Sequence, residues 1–434
     1  MNMKLRLIVM NFLQYGIWGS YLICLGQLLG NIGIGQYTSW FYAVQGIVSI
    51  FMPAIIGAIA DRKIAAQKLL GICHLLAAGF MLCAGIMAMH AMQTGASVEF
   101  APFFALYTLS VAFYMPTIAL SNTVAYDLLE QKGLDTIKDF PPIRVFGTVG
   151  FICAELFVNF ATIGGLNFQA SYWQLYTCAT LGLALGLYAF SLPQCRIGKA
   201  GEHFSLRDMF GIDAFALFKQ KKMAIFFIFS MLLGVSLQIT NAFATPFISS
   251  FKGTFPESWV ANNSTALVSI SQMAEAVCIL LIPFFLKRFG IKNVMLIAMG
   301  AWVLRFGCFG LGDPNEGAWL FVVSCLVYGV AFDFFNVSGS LFVNQETKPE
   351  IRGAAQGLFM LMTNGIGATV GTLAAGEIIN KHCTWQNGLL IGNEPASWET
   401  CWFIFAAYAL VVAVMFAILF KYKHDPNAVK EVRH

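Results

Sequence analysis

The sequence predicts an all-α membrane protein with 12 transmembrane helices in two six-helix halves. Of its 434 residues, 58% are hydrophobic and only 11% are charged, and the mean hydropathy is +0.71. A soluble domain carries roughly 25% charged residues on its exterior. Because that polar coat is missing, lipid must be the solvent for most of the surface.

Twelve apolar segments reach the length of about 20 residues that a helix needs to cross a bilayer. The candidate spans are residues 7–32, 36–60, 67–92, 98–128, 141–165, 171–193, 223–250, 262–286, 291–312, 317–345, 351–379 and 398–421. A polar stretch separates the sixth span from the seventh. We therefore expect an N-terminal half over residues 1–193, a cytoplasmic linker over 194–222, a C-terminal half over 223–421 and a cytoplasmic tail over 422–434.

The distribution of Lys and Arg predicts the orientation of the spans. With the N-terminus inside, the cytoplasmic ends and loops receive Lys4, Arg6, the basic linker and the basic tail. Only Lys252, Arg305 and Lys381 fall elsewhere. This asymmetry across short loops follows the positive-inside rule. Both termini are therefore expected in the cytoplasm.

Composition and motifs argue against other functional classes. The net charge of +4 is small and the basic residues are scattered, so no nucleic-acid partner is expected. The sequence contains no C-x-x-C, no H-E-x-x-H and no G-x-x-x-x-G-K-[ST] motif. The loops are also too short for a catalytic domain. We expect a protein that is not an enzyme and has no metal site and no cofactor.

The two halves resemble each other in the order of their motifs. Ala112–Thr117 in span four parallels Ala331–Asn336 in span ten. Ile143-Arg144 at the start of span five parallels Ile351-Arg352 at the start of span eleven. Matches in the same order indicate two six-helix halves that arose from one ancestral unit.

Polar side chains inside the membrane are costly and mark functional sites by default, although hydrogen bonds between helices are the common alternative. Four spans each carry such a stripe. In spans five, seven and eight the spacing places its members on one helix face, and in span ten they lie together near mid-span. The stripes are Arg144, Thr148 and Phe151 in span five, Gln238 and Asn241 in span seven, Gln272 and Glu275 in span eight, and Phe332, Asp333 and Asn336 in span ten.

This mixture of donors, acceptors and rings suits a nucleoside. Carboxylates or amides match ribose hydroxyls, Gln and Asn match the base edge, and rings such as Phe151 or Phe332 stack on the base faces. A sugar would satisfy the hydrogen-bonding groups equally well. A sugar or sugar-derivative permease is therefore the alternative interpretation.

Glu275 and Asp333 are the candidates for proton coupling. A low-dielectric environment favours the protonated form of a carboxyl group, which lets the group load and unload a proton. The alternative for each carboxylate is a fixed salt bridge, for example to Arg305 in span nine.

The layout of six plus six spans with a cytoplasmic linker resembles the major facilitator superfamily. The superfamily signature after span two is G-x-x-x-D-R-x-G-R. Gly57, Asp61 and Arg62 match it, whereas residues 64–66 (Ile-Ala-Ala) replace its later glycine and basic position. The resemblance implies a substrate site near the midplane of the bilayer and transport by alternating access.

Longer runs are similar to the bacterial nucleoside–proton symporters of that superfamily, nearly from end to end. The densest runs cover residues 139–144, 211–218, 223–234, 237–241, 269–272, 331–336 and 362–365. The resemblance implies proton-coupled import of purine and pyrimidine nucleosides, such as uridine and adenosine. It also implies a monomer embedded in the lipid of the bacterial inner membrane.

The resemblance further implies which residues contact the substrate. They are Arg144, Thr148 and Phe151 in the N-terminal half, and Gln238, Asn241, Gln272, Glu275 and Asp333 in the C-terminal half. Arg144 lies near the cytoplasmic end of span five, where it could instead snorkel to the surface. Glu155, deeper in the same span, matches no family position and is given no role.

Overall fold

The computed structural model describes residues 2–62, 64–196, 212–348 and 351–422. Residues 197–211 of the predicted linker, residues 423–434 of the predicted tail and Lys63 of the loop motif lie outside the described residues. The described chain divides into two compact units. The first holds the residues up to 196 together with Gln386–Leu389, and the second holds the others from 212 onward.

The first unit is a bundle of long apolar helices. Its helices are α1 (Met3–Gly19), α2 (Leu25–Asn31), α3 (Thr38–Arg62), α4 (Ala66–Thr94), α5 (Phe100–Gln131), α6 (Thr136–Phe160) and α7 (Trp173–Ser191). Helix α1 packs along α6 and α7, α4 packs along α5 and α7, and α3 packs along α5. A short antiparallel hairpin joins β1 (Thr162–Ile163) to β2 (Leu166–Asn167) before α7.

The second half of the sequence is also helical but more often interrupted. Its helices are α8 (Lys221–Leu237), α9 (Ile239–Ser250), α10 (Trp259–Asn262), α11 (Ser264–Val268), α12 (Ile270–Leu311), α13 (Ala318–Glu346), α14 (Arg352–Met360), α15 (Ala368–His382) and α16 (Ser397–Leu419). Strands β3 (Cys383–Gln386) and β4 (Leu389–Gly392) form a second hairpin. Helix α12 packs along α13 and α16, and α8 packs against the segment that joins α14 to α15.

The described helices account for the predicted spans. By length and composition, 9 helical segments of the described chain can cross a membrane. One of them, Ser264–Leu311, covers the eighth and ninth predicted spans, which meet at Gly290 with φ +75°. The first and sixth predicted spans correspond to the shorter α1 with α2, and to α7. The predicted all-α membrane fold is confirmed.

Four predicted spans are not the uninterrupted α-helices that their hydropathy suggests. Span one breaks between Gly19 and Leu25, span seven breaks at Gln238, and span eight consists of α11 and the start of α12. Span eleven contains a π-helical segment, Leu361–Gly367. Irregular backbone at membrane depth is tolerated where protein or a wet cavity covers it, and π segments are frequent at functional sites.

Close helix crossings hold each unit together. In the first unit, a Cβ added to Gly150 of α6 would overlap the backbone carbonyl of Phe12 in α1. In the second unit, a Cβ added to Gly371 of α15 would overlap the backbone of Val235 in α8. Glycine lets the two backbones touch at each crossing, which strengthens the packing that holds helices together in lipid.

We expect the substitution Gly371→Ala to lower the stability of the folded protein by about 1–3 kcal/mol, because the added methyl group has no space. Gly300→Ala in α12 is the matched control, since nothing lies within 4 Å of its added Cβ. Both substitutions bring the same gain in helix propensity. Thermal unfolding of the two purified variants in detergent measures the difference, and equal midpoints would contradict the close crossing.

Candidate functional site

The predicted residues of the first unit lie on α6, and two of them contact α1. The guanidinium carbon of Arg144 lies 3.8 Å from the centre of the Tyr15 ring, which is a cation–π geometry. Phe151 meets Trp18 edge to face, with ring centres 6.1 Å apart. Arg144 and Thr148 are half-buried, whereas Phe151 is buried. The structure thus presents a cation, a hydroxyl and a ring along one helix.

Trp18 belongs to this surface although the sequence did not single it out. Its indole nitrogen donates to Oε1 of Gln45 over 3.3 Å, and its ring lies 6.2 Å from the Tyr114 ring. The amide nitrogen of Gln45 donates in turn to the hydroxyl of Tyr107 over 2.9 Å. These bonds hold the indole ring in place beside Phe151. Its position just before the break in span one is visible only in the structure.

A second polar network, buried in the first unit, was also missed. Nε2 of Gln14 donates to Oγ1 of Thr117 over 2.8 Å, and Oε1 of Gln14 lies 2.8 Å from Nε2 of His74. Because an amide oxygen only accepts, Nε2 of His74 carries the hydrogen. Gln14 and His74 have no exposed surface. The network therefore joins α1, α4 and α5 through two buried hydrogen bonds of Gln14.

Glu155 lies deep in the first unit and is fully buried. It is close enough to Cys24, beside the break between α1 and α2, to interact with it electrostatically. One helical turn further along α6, Val158 packs with Cys24 and Phe168. Glu155 therefore faces the broken part of span one.

In the second unit, the amide stripe of span seven coincides with the helix break. Nδ2 of Asn241 donates to Oε1 of Gln238 over 2.9 Å, so the predicted common face is a direct contact. Gln238 ends α8 and precedes α9, with φ −92° and ψ −10°. Both side chains are half-buried. The mutual bond leaves the amide nitrogen of Gln238 and the amide oxygen of Asn241 with capacity for a ligand.

The two predicted carboxylates lie near each other in the second unit. Glu275 acts electrostatically on Asp333, and both act on the thiol of Cys278. The close crossing of α12 and α13 explains this proximity, because a Cβ on Gly329 would meet Ala274 and Cys278 at under 3 Å. Asp333 lies one turn beyond Gly329, and Glu275 directly follows Ala274.

Two buried acceptors of this unit lack a protein donor. Oε1 of Gln272 and Oδ2 of Asp333 have no hydrogen-bond partner among the described residues, and these side chains belong to residues that are 8% and 6% exposed. Leaving such a group unsatisfied costs about 1–3 kcal/mol. A ligand donor, a water molecule or a bound proton would remove that cost. Phe332, stacked on Tyr328 with centres 5.6 Å apart, supplies a ring beside Asp333.

The alternative of a salt bridge from Glu275 or Asp333 to Arg305 is wrong for the described residues. Arg305 donates instead to the backbone carbonyl of Ser324 over 2.6 Å and to the hydroxyl of Ser271 over 3.3 Å. The two carboxylates are therefore not held by that arginine.

We expect His74→Leu to lower the stability of the first unit by about 1–3 kcal/mol, because Oε1 of Gln14 loses its buried donor. His90→Leu is the matched control, since His90 lies on the same helix and is exposed. Thermal unfolding in detergent compares the two variants. An equal loss in both would show that the Gln14–His74 bond does not stabilise the fold.

The chain resembles known transporters along its whole length. The family model described as "Nucleoside H+ symporter" matches residues 1–425. The xanthosine permease of Escherichia coli (strain K12) is 46% identical over 435 residues, which cover 99% of each chain. The nucleoside permease NupG of the same organism is 42% identical over 446 residues, with both chains fully covered.

Solved structures agree with this result. The crystal structure of the nucleoside transporter NupG superposes with a TM-score of 0.86 at 42% identity, covering 98% of this chain and 100% of that one. The D-xylose–proton symporter superposes with a TM-score of 0.64 at 13% identity, covering 98% of each chain. At that identity, the second match concerns the fold alone.

Proposed function

The chain belongs to the nucleoside–proton symporter family, and we propose that uridine and adenosine are among the nucleosides that it imports. It is a secondary active transporter of the major facilitator fold, works by alternating access and is not an enzyme. We further propose that it acts as a monomer in the bacterial inner membrane. One chain carries all the residues that are assigned here to substrate and proton.

The observation that carries the proposal is the set of polar side chains in the second unit that have hydrogen-bonding capacity left for a ligand. Gln272 and Asp333 each present a buried acceptor, and Gln238 with Asn241 presents paired amides at a helix break. Nucleoside hydroxyl and amino groups are donors that match these acceptors, and the amides match the donor–acceptor edge of a base. Phe332 offers a face for base stacking.

In the first unit, we assign substrate contact to Arg144, Thr148 and Phe151. The guanidinium supplies donors in a fixed plane, the hydroxyl both donates and accepts, and the ring offers a second apolar face. The stacking of Arg144 on Tyr15 supports this assignment over a side chain that only reaches the membrane surface.

For the driving ion, we assign proton coupling to Glu275 and Asp333. Two carboxylates at short range repel each other when both are ionised, so a shared proton relieves the repulsion. Arg305 bonds to Ser324 and Ser271 rather than to either carboxylate. Loading and release of the shared proton can follow the occupancy of the neighbouring polar groups.

Ion pairs support the proposed orientation with cytoplasmic termini. Lys4 pairs with Asp139, Arg196 with Asp127, and Lys222 with Glu346. Each pair lies at helix ends or in the linker region that the charge distribution assigns to the cytoplasm. This also fits the proposed halves, 1–193 and 223–421, with residues 194–222 as a cytoplasmic linker.

We expect labelled uridine to accumulate in cells or proteoliposomes that contain the protein, when an inward proton gradient is imposed in sodium-free buffer. A protonophore should abolish the accumulation. Unlabelled adenosine should compete, whereas sucrose and lactose should not, because they lack a base to stack and pair. Competition by the sugars alone would favour the sugar permease, and accumulation only with sodium would overturn proton coupling.

We expect the double substitution Glu275→Gln with Asp333→Asn to reduce proton-driven uridine accumulation at least about ten-fold, because neither carboxyl assigned to the proton remains. Glu377→Gln is the matched control, since Glu377 is an exposed carboxylate of the same unit. Uptake is normalised to the amount of folded protein. Unchanged accumulation in the double variant would remove both residues from the coupling mechanism.

A further inference from the structure

Arg305 is a buried cation to which we have assigned neither substrate contact nor proton coupling. It lies in the second part of α12, and only 1% of its surface is exposed. Among the described residues it forms no ion pair with a carboxylate. Arginines at membrane depth are rare and usually functional because burial of the charge is costly. Its contacts therefore need an explanation beyond packing.

Those contacts tie three helical segments together. The guanidinium donates to the carbonyl of Ser324 in α13 over 2.6 Å and to the hydroxyl of Ser271 at the start of α12 over 3.3 Å. Ser324 returns a bond from its hydroxyl to the carbonyl of Arg305 over 2.9 Å. Spans eight, nine and ten are thus joined at one side chain.

The guanidinium also lies against an aromatic face. Its central carbon is 4.5 Å from the centre of the Tyr328 ring, within the range of a cation–π contact. On the same helix, Tyr328 stacks on Phe332 with an interplanar angle of 12°. Phe332 precedes Asp333, and Ser271 precedes Gln272. Arg305 therefore contacts Ser271, which precedes Gln272, and Tyr328, which stacks on Phe332, without bonding to Gln272 or Phe332.

We propose that Arg305 is a positioning residue for nucleoside recognition: it orients the Tyr328–Phe332 stack and the start of α12 that carries Gln272. The inference rests on the proposed function. The proposed role affects the affinity for the nucleoside, because the planar guanidinium restrains the Phe332 ring and the Gln272 amide before the nucleoside binds. Preorganisation of this kind lowers the ordering that binding would otherwise require.

The test uses Arg305→Met, which keeps an unbranched apolar chain but removes the charge and every donor. Replacement of a buried charge by an apolar group of similar size often leaves a protein stable, so folded transporter is expected. We expect the half-saturation concentration for labelled uridine to rise about ten-fold, equivalent to about 1.4 kcal/mol. The maximal rate per folded transporter should change much less. A purely structural role would reduce the amount of folded protein and leave the half-saturation concentration unchanged.

Conservative variants sharpen the test. Arg305→Lys keeps the cation but not the fork of donors, so its half-saturation concentration should lie between those of the wild type and Arg305→Met. Tyr328→Phe keeps the ring and should affect uridine affinity less than Tyr328→Leu. Adding Tyr328→Leu to Arg305→Met should raise the half-saturation concentration by less than the product of the separate effects, since both act on one stack.

The matched control is Arg288→Lys, which changes an exposed arginine of the same helix and should leave the half-saturation concentration at the wild-type value. A wild-type value in Arg305→Met would overturn the positioning role. If Arg305→Met gives no folded protein, wild-type values in both Arg305→Lys and Tyr328→Leu would overturn it. Failure of the wild-type protein itself to take up uridine would overturn the proposed function as well.

Discussion

The structure depends on one constraint: in lipid, every polar group must find its partner within the chain or its ligand. Most of the polar groups described here obey it through other protein groups. Gln14 is satisfied by Thr117 and His74, and the guanidinium of Arg305 reaches Ser324 and Ser271. Oε1 of Gln272 and Oδ2 of Asp333 find no such partner among the described residues, which leaves these two oxygens available to the cargo and the proton.

The two units share two features: a broken first span and a close glycine crossing between the first and fifth spans. In the first unit, the first span is broken after Gly19 and crosses α6, the fifth span, at Gly150. In the second unit, the first span is broken at Gln238 and crosses the fifth span at Gly371. Breaks release backbone and side-chain groups at membrane depth, and tight glycine crossings stabilise the helices on either side. The two halves therefore resemble each other in backbone geometry as well as in the order of their sequence motifs.

The buried arginine and the two carboxylates of the second unit have different surroundings. Arg305 is fixed by two hydrogen bonds and an aromatic face, which suits a residue whose charge does not change. Glu275 and Asp333 lie near each other, and Oδ2 of Asp333 has no hydrogen-bond partner among the described residues. A carboxyl beside a second carboxyl can exchange a proton, because binding a proton relieves the repulsion between two ionised groups.

The sequence by itself determined the membrane class, the order of the spans and the polar stripes, because hydropathy and helical spacing are local properties of the chain. The spacing of Gln238 and Asn241 was enough to predict that they share a helix face, and the structure shows that they are hydrogen-bonded. Only the tertiary structure decided where spans one, seven and eight break, that span eleven contains a π segment, and that Arg305 binds serines rather than a carboxylate. It also decided that Gln14 pairs with His74. These features depend on how helices distant in sequence cross, and such crossings cannot be predicted from hydropathy, which is a local property of the chain.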